Sequence, residues 1–105
     1  MIVGSLRVSL HLYSCHSLKE KRRPRRMLLD RARNRFGVAA AEVDDQDTWN
    51  LLTLGFSAVG PDRAPVEKVL RQVLDLVAES GEGAVAAETL EFTQIDRPKS
   101  LMGMG

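Results

Sequence analysis

Residues Ile2 to Tyr13 alternate: Leu6, Val8, Leu10 and Leu12 share one side of an extended chain, while Ser5, Arg7, Ser9, His11 and Tyr13 share the other. Successive side chains of a strand point to opposite faces, so the pattern predicts a strand with one buried and one open face. One strand cannot shield its own apolar row. The rest of the chain must supply the helices and neighbouring strands that cover it.

The cover follows in order along the sequence. Ser17 and Glu20 have the spacing of a capping box, in which a hydroxyl and a carboxylate each satisfy an orphan backbone N–H at a helix start. That predicts a helix from there to about Phe36, stopped by Gly37, with Leu18, Leu29, Ala32 and Phe36 on its core face. Pro24 interrupts the pattern, because it removes a backbone hydrogen bond at a cost of roughly 3 kcal/mol. It must either kink the helix or close a separate first turn and start a new one.

Val38 to Val43 is short and apolar, Asp44-Asp45-Gln46-Asp47 is a turn, and Trp49 to Val59 is a longer apolar run closed by Gly60-Pro61. Together they predict a hairpin. Asp62 is placed to cap a second helix, whose Val66, Val69, Leu70, Val73, Leu74 and Val77 recur at core-facing spacing before Ser80-Gly81. Val85 to Ile95 is rich in strand formers and predicts a fourth strand, and Arg97 to Gly105 has neither pattern nor bulk. Residues 1–95 therefore read as a single domain and 96–105 as a flexible C-terminal tail.

The order βαββαβ, with right-handed crossovers, closes most simply as an α+β ferredoxin-like sandwich: a four-stranded antiparallel sheet with two helices on one face. The expected core holds Leu6, Val8, Leu10, Leu12, Leu29, Phe36, Val69, Leu70, Val73 and Val77. At 105 residues the chain suffices for one such core, and 44% hydrophobic against 28% charged residues excludes a disordered chain. The third strand is apolar on both sides, with Leu52, Leu54, Phe56 and Ala58 on one and Trp49, Leu51, Thr53 and Val59 on the other. The face without helices, marked by Trp49 and Leu51, or a sheet edge, is expected to meet a second copy in a homodimer, or else a larger assembly. The lone Cys15 makes no internal disulfide, and no long apolar run suggests a membrane span, so a cytoplasmic protein with no membrane partner is expected.

The net charge is only +1, yet it is unevenly placed. Lys19 to Arg35 holds nine basic residues against Glu20 and Asp30, a segment charge of +7, so the remainder carries −6. At about 100° per helical residue, Lys19, Arg22, Arg23, Arg26 and Arg33 fall within an arc of roughly 100°. Lys21 and Arg25 project from the core side and are expected to frame the mouth of the loop after the first strand. A charge run is ordinarily a solvated face, and the second helix, mixing Glu67, Lys68, Arg71, Asp75 and Glu79, is of that kind. The first helix is not. Its natural complement is a polyphosphate, with RNA favoured, because guanidinium forks grip phosphate oxygens and carry no sequence preference. The expected phosphate contacts are Lys19, Lys21, Arg22, Arg23, Arg26 and Arg33, with Ser17 and Glu20 holding the helix start. Base readout by an aromatic sheet, as in RRM domains of the same strand order, is not expected, since Leu54-Gly55-Phe56-Ser57 offers one ring.

Other chemistry is thinner. Cys15, His16, Asp44, Asp45 and Asp47 match no metal-ligand spacing, so no metal or cofactor is expected. An alternative is a small phosphate-ester or phosphoanhydride enzyme using His16 and Arg22 as an anion site, although no nucleophile and base stand at readable spacing. A purely structural oligomeric module is a third. No catalytic residue is assigned.

The run His16-Ser17-Leu18-Lys19-Glu20-Lys21-Arg22-Arg23, with Arg33-Asn34-Arg35-Phe36, Ala41-Glu42-Val43, Asp45-Gln46-Asp47, Trp49, Asp62-Arg63-Ala64 and Glu67-Lys68-Val69-Leu70, resembles the YlxP-like family of small bacterial proteins of unknown function. The resemblance covers about residues 1–95. It implies a ferredoxin-like fold, a cytoplasmic bacterial protein and association with the small ribosomal subunit or its maturation. It implies no reaction. Pro24 departs from the aliphatic residue expected at that place.

Overall fold

A computed structural model describes residues 1–101 of the chain. Its elements run β1 (Ile2–Leu12), α1 (Leu18–Phe36), β2 (Ala39–Asp44), β3 (Leu51–Gly60), α2 (Arg63–Ala78) and β4 (Gly83–Gln94), followed by a single 3-10 turn at Lys99–Leu101. The last four residues of the expected tail, 102–105, lie outside the described residues.

The four strands form one sheet in the order β2-β3-β1-β4, every neighbouring pair antiparallel. This is the α+β ferredoxin-like arrangement. Leu6, Val8 and Leu10 stand opposite Phe56, Leu54 and Leu52, so the apolar rows of β1 and β3 share a face. That face joins Leu28, Leu29 and Ala32 of α1 and Val66, Leu70, Val73 and Val77 of α2 in one buried cluster, which places both helices on the same side. The expected core members Phe36 and Val69 are only half-buried at its rim, and Leu28 takes a central place instead. Leu18, expected on the core face, is 46% exposed. The buried row of α1 is Lys21, Pro24, Leu28 and Ala32, spaced as one helix stripe, and Leu18 at the first helical position flanks it.

Pro24 does not divide α1, which is one run of 19 residues with the proline buried inside it. The separate first turn therefore does not form. The start is capped as the spacing predicts, with Ser17 Oγ accepting from the Glu20 N–H at 3.1 Å, and the end is closed by Gly37 in the left-handed region at φ 65°, its N–H donating to Arg33 O. Among the described residues no helix is long and apolar enough to cross a membrane.

Candidate nucleic-acid interface

The start of α1 is fixed by where β1 ends. Leu12 N–H donates to Asn50 O in the turn before β3, and Tyr13 N–H donates to Glu82 O in the α2–β4 connection. The linking residues 13–17 therefore leave the sheet between two other loops. Cys15 is buried there, its thiol donating to Ser17 O. Glu20 Oε2 accepts from the His16 N–H at 2.7 Å, one residue earlier than the reciprocal bond of a capping box would reach. Carboxylate and hydroxyl together hold the first turn.

Lys21 requires a correction. Expected as a phosphate contact, it is 1% exposed, and its ammonium donates to Asp45 O at 2.8 Å and Thr48 O at 2.9 Å. Glu42 Oε2 lies 2.9 Å away, outside hydrogen-bond geometry, so that contact is coulombic. The reason is rotational: Lys21 stands about 200° round the helix from Lys19, on the side that faces the sheet. Arg25, from the same side, reaches Glu42 Oε1 at 3.5 Å. Both side chains therefore clamp the β2–β3 hairpin to α1 instead of framing an open mouth.

Two further expected contacts are exposed but already have partners. Arg23 forks onto Glu82 at 3.0 and 2.6 Å, and that hydrogen bond, reinforced by the carboxylate's charge, raises its pKa. Arg33 donates to Ala40 O at 2.6 Å and lies 3.6 Å from Asp30. Lys19, Arg22 and Arg26 are exposed and make no ion pair among the described residues. They fall within about 60° of one another and form a ridge on the solvent side of α1.

The hairpin turn beside the helix start is heavily hydrogen-bonded. Asp45 takes the left-handed backbone at φ 55° and its carbonyl accepts from the Thr48 N–H. Its carboxylate accepts from Thr53 Oγ1 at 2.6 Å, and Thr53 in turn accepts from Ser9 Oγ at 2.8 Å. Trp49 belongs to this turn, not to the uncovered sheet face where the alternation placed it, because β3 begins only at Leu51. The residue is 43% exposed and its ring lies 5.9 Å from that of His16, tilted by 41°. Tyr13, at the other flank of the helix start, is 67% exposed. No hydrogen bond or ion pair joins His16 to Arg22, the alternative anion site, and among the described residues no three His, Cys, Asp or Glu side chains converge as metal ligands would.

Leu51 does lie on the uncovered face, opposite His11 and half-buried. Further along that face is an open hollow of about 540 Å³ lined in part by small residues, among them Ser5, Ala39, Ala41, Gly55 and Ser57. At its rim Arg7 pairs with Asp44 at 2.9 Å. The Asp45 backbone N–H and the Arg7 guanidinium hold the Asp44 carboxyl below its usual range.

Charge alone does not disclose this clamp; its signal lies in the phase of Lys21 and Arg25 on the helix. Comparison with known proteins adds kinship without chemistry. Residues 3–89 match the family described as "Protein of unknown function (DUF503)". A protein of Bacillus subtilis (strain 168) described as "Uncharacterized protein YlxP" is 36% identical over 76 residues, which cover 72% of this chain and 83% of that protein.

Proposed function

The chain belongs to the DUF503 family of proteins of unknown function, and we propose that it is a non-catalytic RNA-binding accessory protein. In this reading Lys19, Arg22 and Arg26 grip backbone phosphates and Arg23 and Arg33 flank them. One observation carries it: Lys19, Arg22 and Arg26 project together from one face of α1 with no acceptor among the described residues, while Lys21, Arg23, Arg25 and Arg33 all have one, and Arg31 and Arg35, also without one, stand about 120–160° round the helix from Lys19. A merely solvated face ordinarily mixes signs, as α2 does where Arg63 and Arg71 both pair with Glu67. The particle we assign it to is the small ribosomal subunit or its precursor, which is the expectation the sequence resemblance carried. The open sheet face around Leu51 is then the surface for a second copy of the chain.

Co-sedimentation with purified small subunits tests the reading. The triple variant Lys19→Glu/Arg22→Glu/Arg26→Glu should lose association and keep its fold, since exposed charges contribute only tenths of a kcal/mol each. Engagement of about three phosphates predicts a slope of log K against log salt near −2 for single strands and near −2.7 for duplexes. A triple variant that co-sediments like the wild type overturns the proposal.

A further inference from the structure

We infer that the RNA taken by this site is single-stranded, with an unpaired base stacked on Trp49. The inference rests on the phosphate-binding reading above and deepens it. A tryptophan left 43% exposed on a hydrogen-bonded turn forgoes burial of a large apolar ring. Its position relates it to the ridge: the indole lies against His16, whose N–H is bonded to Glu20 in the first turn of α1, one residue from Lys19. The ring therefore lies at the end of the helix where the ridge begins.

The platform is also held in place before any ligand arrives. Thr48, the residue before Trp49, has its carbonyl on the buried Lys21 ammonium, and Asp45, at the start of the turn, is fixed through its carbonyl by Lys21 and Thr48 and through its carboxylate by Thr53. A surface already ordered loses little freedom when a ligand docks. Paired bases in an A-form duplex stack on one another and present no free face, whereas a single strand can splay a base onto an aromatic ring beside a cationic track. Tyr13, exposed on the opposite flank of the helix start, offers a second ring. The clamp around Lys21 thus positions the stacking surface without touching RNA.

Trp49 is the only tryptophan in the chain, so its fluorescence reports on this place alone. The test titrates the full chain with a 12-nucleotide mixed-sequence RNA, then with the same strand annealed to its complement, at equal phosphate concentration. The expected result is quenching by the single strand and little by the duplex. Trp49→Ala should weaken single-strand binding by about tenfold and leave duplex binding unchanged, and Trp49→Phe should recover part of the loss. Thermal melting of each variant verifies that the exposed substitution leaves the fold intact, and the wild-type titration stands whatever the variants do. If the wild type binds the single strand without quenching and Trp49→Ala binds it equally well, stacking is overturned while the ridge survives. If neither RNA binds, the phosphate reading falls and this inference falls with it.

Discussion

An ammonium taken out of water is tolerated only when acceptors surround it, and Lys21 meets that condition with two carbonyls and the Glu42 carboxylate. Its removal should therefore act on stability. Lys21→Met removes a donor from the Asp45 and Thr48 carbonyls and leaves the half-buried Glu42 with only the longer Arg25 contact, and is expected to cost about 2–4 kcal/mol in urea unfolding, whereas Lys21→Met/Glu42→Leu, which leaves Arg25 without its carboxylate, should recover only part of it. Arg22→Glu, by contrast, should leave the unfolding free energy within about 0.5 kcal/mol of wild type. The sequence made Lys21 look like its basic neighbours because composition is blind to direction; counted at helical phase, it already pointed at the core. Trp49 was misplaced for a related reason. An apolar run does not say where a turn stops and pairing begins, and here Asn50 rather than Trp49 closes the turn.

Elements were more legible than their ends. The capping spacing of Ser17 and Glu20 and the stop at Gly37 marked α1 because caps are local chemistry, satisfied within a few residues. The continuity of α1 through Pro24 was not legible, since burial against the rest of the fold, not local preference, decides it. The start of β4 was likewise two residues early. There Gly83 packs so closely on β1 that a Cβ would collide with the His11 carbonyl oxygen. Gly83→Ala should accordingly cost about 1–3 kcal/mol, read as a lowered thermal midpoint. On α2, Arg71 and then Arg63 hold the Glu67 carboxyl below its usual range by hydrogen bonding and charge. A lowered folded-state pKa stabilises the fold above the ordinary carboxylate range and loses that contribution as pH falls through the folded value. Thermal midpoints of wild type and Glu67→Gln should differ near neutrality and converge in acid.

At the scale of the molecule, the sheet has one face closed by helices and one left open by the described residues, and the open one holds Leu51 and the shallow hollow beside β2. Sedimentation at micromolar concentration should find a dimer that Leu51→Glu returns to monomer; a wild type that sediments as a monomer removes the paired-face proposal. Topology, which follows from element order and chirality, was readable from the sequence, whereas the partner of an open face is not encoded in any one strand. The strands also give the molecule two unlike ends. Met1 and Ile95 are joined by two main-chain hydrogen bonds of 2.8 and 3.1 Å at the end where β1 begins, and Trp49 and the start of α1 lie where β1 finishes. Eleven strand residues put about 33 Å between those ends. A tether attached beyond Ile95 would thus anchor the protein to a sensor surface with the tryptophan and the basic ridge facing the flow, an orientation in which immobilisation and binding do not compete.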